Sequence, residues 1–394
     1  MKNKLTAILI FPIAPFFSFL YACTNLKNKF NGFVFILFYG LFGFTHTFSD
    51  IRADSYRKAW LFSEFNDNSY SDIWSSYIDG YIMDIYEGLL FVFLKQWTND
   101  PHIMMAVVGA IGGFFIYLVL RRIIKDWSGI KNACLYILLV FILCKYSPVG
   151  MGGIRYFTAF AVFSYATISF LIDNNKKSII GIVLSPLIHF SFILYIFVIL
   201  FIKYIGFPKK LLFWLVVSAC VASTFLSTSS WNNVISQVDI GTVNQSVASR
   251  TEHYATDETE AEFQSSLTVQ IMKVQNTIVS AYVLIFLFYI KKRWNRLNIN
   301  SYCNNLYKFL LFFLFFGYVF SSFSVVGQRY LNFAHVLLYF FILNIYVYNR
   351  NKEVKLFIYL MPFLFFANLL WVIYNCYCNT SLMLYISPLP LLFL

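Results

Sequence analysis

The chain has 394 residues, of which 59% are hydrophobic and 12% charged, with a net charge of +12 and a mean hydropathy of +0.67. A soluble domain carries about 25% charged residues, so water is not the main solvent here. The positive balance does not describe a nucleic-acid binder, because Lys and Arg sit in short clusters between apolar runs rather than on a basic domain.

Those apolar runs recur at about 20 residues, the length a helix needs to cross ~30 Å of hydrocarbon. They predict an all-α polytopic membrane protein of about 10–12 spans. The segments are 5–22, 31–47, 101–120, 130–146, 153–172, 178–203, 210–229, 268–290, 305–325, 331–348 and 354–376. The first begins with Lys2 and Lys4, contains Pro12 and Pro15, and has no small-residue cleavage site. It reads as a span rather than a removed signal peptide. No repeat and no linker divides the chain, so 1–394 is expected to be a single membrane domain.

Two stretches break the apolar pattern, 48–100 and 230–267, and together they hold fifteen of the 18 acidic residues. The short connections are basic, notably Arg121–Lys125, Lys176–Lys177, Lys209–Lys210 and Lys291–Arg296. Under the positive-inside rule the short basic connections face the cytoplasm and both acidic stretches are extracytoplasmic loops. Within the first loop, Ile82 to Trp97 alternates polar and apolar residues at helical spacing, predicting an amphipathic interfacial helix. The second loop carries an acidic run, Asp257–Glu262, which reads as solvated.

Segment 178–203 has basic flanks at both ends and is too short for two full spans. It is read either as a broken re-entrant pair turning near Pro186 and His189, or as one tilted helix with a proline kink. The tail, 382–394, is apolar but short and carries Pro388 and Pro390, which suits an interfacial position.

Ionisable groups in or beside spans are costly and therefore candidates for function. Four places qualify: Asp50–Tyr56 after the second span, Gly150–Tyr156 opening the fifth, His189 within 178–203, and Gly327–Tyr330 with His335 downstream. Under this topology Arg52, Arg155 and Arg329 all reach the outer face. Guanidinium keeps its charge at low dielectric and presents a planar fork to phosphate oxygens, so three of them suit a diphosphate. The glycines before Arg155 would let backbone N–H groups meet the same anion at a helix N-terminus. Asp54, Glu87 or His189 would serve as base or hold a sugar hydroxyl. Each has a structural alternative: an arginine at a span end anchors the interface, Asp54 caps a helix or pairs with Arg52, and His189 packs in a core. The histidines and seven cysteines show no metal-ligand spacing, and no phosphate-binding loop, dinucleotide fingerprint or nucleophile elbow is present. No metal and no cofactor are expected.

The ordered set Arg52-x-Asp54-x-Tyr56, Tyr86-Glu87-Gly88, Gly153-Ile-Arg155, Ile188-His189-Phe-Ser191 and Gln328-Arg329-Tyr330 resembles the EpsG branch of Wzy-type polysaccharide polymerases, over about residues 50–335. The family pattern commonly has Gln where this chain has Tyr156, and Gly where it has Ala53. The resemblance implies a glycosyltransferase that polymerises O antigen, capsule or exopolysaccharide at the outer face of the bacterial inner membrane. It would pass a growing glycan from undecaprenyl diphosphate to another lipid-linked repeat unit. Arg52, Arg155 and Arg329 would bind diphosphate, Asp54, Glu87 and His189 would act on the acceptor side, and Tyr56, Tyr156 and Tyr330 would complete the substrate contacts. Membrane lipid, a chain-length regulator and a flippase of the same pathway are the implied partners. The rival readings are a flippase or transporter of lipid-linked oligosaccharide, and another membrane glycosyl- or acyltransferase using His189.

Overall fold

A computed structural model describes residues 5–49, 53–65, 69–125, 133–223, 267–297, 299, 301–321, 324–349 and 351–387. The acidic stretch 230–267, Asp50, Arg52 and the end of the tail fall almost entirely outside the described residues. The protein is a polytopic all-helical membrane protein, and no strand forms among the described residues. By length and composition, five described helical segments suffice to cross a membrane: Pro101–Lys125, Ala133–Gly152, Ile154–Leu171, Val274–Arg296 and Val326–Asn349. The pair Lys352–Leu364 and Phe366–Cys378, bent by 52°, makes a sixth if it is one span. Pro362 lies inside the first of that pair. It removes a backbone donor and crowds the carbonyl four residues earlier, which accounts for a bend where the hydropathy predicts one segment, 354–376.

The described residues form two compact units. The first comprises Met1–Ile130, Tyr146–Ile193 and Val372–Leu394. It opens with α1 (Thr6–Ile10) and α2 (Pro15–Cys23), so the first hydrophobic run is interrupted at its prolines, with Pro15 at the start of α2. Next come α3 (Lys29–Phe44), α4 (Asp54–Glu64), α5 (Tyr70–Ile78), α6 (Tyr86–Lys95) and α7 (Pro101–Lys125). Helix α3 lies hard against α7. A β-carbon on Gly43 would collide with the Met105 carbonyl, and one on Gly109 with the Tyr39 carbonyl. In lipid, where no hydrophobic effect drives helices together, such close backbone approach through small residues is a principal source of association. Gly112 makes room on α7 for the Phe157 ring, and the chain end docks beside α3, Thr47 N–H donating to the Asn379 carbonyl at 3.0 Å.

Only one of the three helices between α3 and α7 answers to a predicted element: α6, which is shorter than the predicted 82–97 because Ile82–Ile85 precede it outside any helix. The start of α5 is legible as a capping box: Ser69 accepts from the Asp72 N–H, and the Asp72 carboxylate accepts from the Ser69 N–H at 2.7 Å. After α8 (Ala133–Lys145), α9 (Ile154–Ile172) and α10 (Ile179–Ile188) return the chain to the first unit. The segment predicted at 178–203 is not one continuous helix. Helix α10 stops at Ile188, and α11 (Phe192–Leu200) begins after three non-helical residues that include His189.

The second unit comprises Lys131–Lys145 and Leu194–Trp371. It contains α8, most of α11, α12 (Lys209–Ala222), α13 (Leu267–Arg293), α14 (Ser301–Val319), α15 (Ser324–Asn349) and α16 (Lys352–Leu364), and α17 (Phe366–Cys378) begins there. Its core is aromatic: Tyr195, Phe313, Phe333 and Tyr330 pack ring against ring around α14 and α15, with Tyr195 and Tyr330 centroids 4.5 Å apart.

Because the α3–α7 contact has no space for a side chain at Gly109, Gly109→Val should destabilise the detergent-solubilised protein by about 1–3 kcal/mol. A thermal unfolding series followed by size-exclusion chromatography would show this as a lower midpoint. The control Gly206→Ala sits in open space at φ +68 and tests backbone strain alone.

Candidate functional site

The site is assembled in the first unit from four chain segments. Pro186 lies in the last turn of α10, and the Ile182 carbonyl four residues earlier lacks its usual partner because proline has no N–H. The neighbouring Ser185 hydroxyl donates to that carbonyl at 2.7 Å, so the turn survives. The helix then ends, and His189 leaves it in extended backbone geometry at φ −152 and ψ 114. Immediately before, the Leu187 carbonyl accepts from the Ile85 N–H at 3.1 Å. That bond ties the end of α10 to the start of α6, and thereby brings His189 to Asp84. An apolar cluster of Ile73, Ile85, Val92 and Leu187 backs the junction. Gly88 contributes by letting α6 approach Ile73.

Arg155 enters from the first turn of α9. Its Nη1 donates to Asp84 Oδ1 at 3.0 Å, and its Nε lies 3.0 Å from Glu87 Oε2. Lys58, on α4, reaches the other oxygen, with Nζ 2.5 Å from Glu87 Oε1. On the far side, His189 Nδ1 stands 3.9 Å from Asp84 Oδ2. The Asp84 side chain is 2% exposed and that of His189 7%. Two cations and two carboxylates therefore balance, which is the condition for keeping ions at such depth. The Tyr156 ring meets His189 edge-on at 6.0 Å. One turn along α9, the Thr158 hydroxyl donates to the Tyr86 phenol at 3.3 Å, and burial pushes that phenol up to about 12, so it stays protonated at neutral pH.

A family profile matches residues 33–387, a stretch that contains every residue of this cluster. The chain belongs to the EpsG family. No curated protein sequence and no solved structure matches it. The EpsG family is associated with Wzy-type polymerases, and the chain is a polysaccharide-related membrane protein.

Of the candidates nominated from the EpsG motifs, the structure brings Glu87, Arg155, Tyr156 and His189 together. Asp54 lies apart from their ion pairs: it is exposed at the start of α4 and pairs with Arg57. Tyr56 is half-buried on the same helix, and Arg52 lies outside the described residues. Arg329 and Tyr330 belong to the second unit. Expected in a turn between spans, they sit instead within the opening turns of α15, which already begins at Ser324, with Arg329 half-buried and Tyr330 inside the aromatic core. The glycines before Arg155 serve a different purpose from the one expected. The Gly150 and Gly153 N–H groups donate to the Ser147 and Gly150 carbonyls in a tight 3₁₀ turn, and Gly152 lies against Ser55 of α4. These two N–H groups are thus occupied within the turn.

Sequence reasoning missed Asp84 and Lys58. The one signal for Asp84 was its place three residues before Glu87 at the start of an amphipathic segment, and nothing in the sequence pairs Lys58 with Glu87.

Asp84→Ala should therefore leave Arg155 and Lys58 to share Glu87 alone, with one buried positive charge uncompensated, and destabilise the protein by about 3–5 kcal/mol. Asp54→Ala removes an exposed pair and should leave stability nearly unchanged. Denaturation of the two variants in parallel would check the contrast, and equal losses would contradict the burial-based ranking.

Proposed function

We propose that this protein is a polysaccharide polymerase of the Wzy type in the bacterial inner membrane, transferring a glycan from undecaprenyl diphosphate to a lipid-linked repeat unit at the outer face. The observation that carries the reading is the buried assembly of Arg155, Glu87, Asp84, Lys58 and His189 in a chain of a family associated with such polymerases. The reaction asks for cations that stabilise a departing diphosphate and for a base that takes a proton from the acceptor hydroxyl. Arg155 fits the first demand. A guanidinium carries five N–H donors in a rigid fork, and its contacts to Asp84 and Glu87 fix the plane of that fork through Nε and Nη1. A fixed donor array loses little entropy when an anion arrives and is already oriented when charge develops on it.

In this reading Arg52 and Arg329 join Arg155 on the outer side of the bilayer, Tyr56, Tyr156 and Tyr330 contribute further substrate contacts, and Asp54, Glu87 and His189 are the acceptor-side candidates. Two polyprenyl chains reach the site laterally from the lipid. No step requires a metal ion or cofactor.

Deleting the gene should abolish the surface-glycan ladder on a gel while single repeat units remain attached to their carrier. Loss of the single units as well would point to a flippase or an earlier transferase. Arg155→Ala, inserted at normal levels, should lower polymer yield by about two orders of magnitude or more. Reporter fusions at residues 155 and 329 should both report the extracytoplasmic side, and opposite sides would exclude a shared diphosphate site.

A further inference from the structure

Three side chains are candidates for the acceptor-side base, and their surroundings separate them. Glu87 has a cation on each oxygen, Lys58 at 2.5 Å and Arg155 at 3.0 Å, and would have to release one of them to take a proton. Asp54 is exposed and paired with Arg57. His189 faces the Asp84 carboxylate through Nδ1. We infer that Asp84 and His189 form a positioned pair in which the Asp84 carboxylate holds the imidazole proton on Nδ1, leaving Nε2 as the general base for the acceptor hydroxyl. The inference rests on the polymerase reading for its substrate, though not for its geometry.

The described groups around the pair agree with this assignment. Asp84 Oδ1 is anchored by Arg155 Nη1 at 3.0 Å, which turns Oδ2 toward His189. Glu87, the nearest other carboxylate on α6, is taken by Arg155 and Lys58. From α9, Tyr156 meets the ring edge-on and limits its rotation. The Ile85 to Leu187 backbone bond sets the distance between the two partners. At 3.9 Å the pair is longer than a closed hydrogen bond, as catalytic contacts commonly are before substrate arrives. A neutral imidazole has one donor nitrogen and one acceptor nitrogen, and a carboxylate beside Nδ1 selects the form whose Nε2 lone pair is bare. Asp84 is thus a positioning residue and His189 the group that touches substrate.

The step balances without a further reactant. The acceptor hydroxyl gives its proton to His189 Nε2 as its oxygen bonds to the anomeric carbon of the donor glycan. The anomeric carbon–oxygen bond to the diphosphate breaks, and the diphosphate leaves with the electron pair. The imidazolium then returns the proton to water or to the departing diphosphate.

Nitrogen-15 NMR of histidine-labelled protein in nanodiscs at pH 8 reads the tautomer directly, with His189→Gln assigning its signal among the five histidines. Wild type should carry the proton on Nδ1, against the preference of imidazole in water for Nε2. The isosteric Asp84→Asn variant should revert to Nε2–H. Polymerisation by purified protein on lipid-linked repeat units should fall about 10²–10⁴-fold in both variants, and the acid limb of its pH–rate profile should be lost with His189. An Nε2–H imidazole in wild type overturns the pairing. Full-rate polymerisation by His189→Gln overturns the base assignment. An Nδ1–H imidazole that reverts in Asp84→Asn, in a wild-type protein that forms no polymer, supports the pairing while sinking the polymerase reading.

Discussion

The guanidinium of Arg155 spans two carboxylates, Asp84 just before α6 and Glu87 in its first turn, and the arrangement of the first unit around the site follows from that contact. An arginine cannot shed its proton to escape burial, so the fold must supply anions where the side chain comes to rest. Supplying two of them creates a second requirement, which Lys58 answers from α4. The start of α6 is thereby linked to the first turn of α9 and the middle of α4, three elements distant in sequence. The His189 imidazole completes the set beside Asp84.

This economy explains why the neighbouring backbone is irregular. A helix that continued past Ile188 would carry His189 onward along the α10 axis. Pro186 removes one regular hydrogen bond from the last turn, Ser185 satisfies the carbonyl that proline leaves behind, and Leu187 spends its own carbonyl on Ile85. Non-helical backbone at membrane depth persists only where its polar groups are answered by protein or water, and here protein answers the Ile182 and Leu187 carbonyls. The tight turn before Arg155 follows the same rule: its N–H groups are used within the turn, and Gly152 permits α4 to lie alongside.

The candidate site was legible in the sequence to the extent that its residues are anomalous where they stand. Arg155 and His189 are ionisable groups against an apolar background, where a helix crossing lipid carries such groups only at a cost, and Glu87 stands in the Tyr86-Glu87-Gly88 motif of the family resemblance. Asp84 and Lys58 lie in a stretch already rich in charge, so nothing local marks them. Asp54 stands in a conspicuous motif, and its carboxylate lies exposed beside Arg57. Arg329 and Tyr330 follow a glycine and look like a turn, whereas α15 has already begun, and Gly327 serves a close approach to the Phe320–Ser321 backbone.

Sequence alone determined that the chain lives in a bilayer and is helical and polytopic, because hydrocarbon thickness and the obligatory pairing of backbone groups act on every segment independently of its neighbours. It left 178–203 open between a broken pair and one kinked helix, and the structure decided for the break after Ile188. The sequence also carried the family. Only the tertiary structure decided which charges neutralise which, since ion pairing depends on where elements meet across scores of residues. Two helices in the loop after α3, the backbone tie between Ile85 and Leu187, and the partnership of Asp84 with Arg155 and His189 come from that level. Hydropathy weighs each residue against solvent, and the chemistry of this cluster arises from residues weighed against one another.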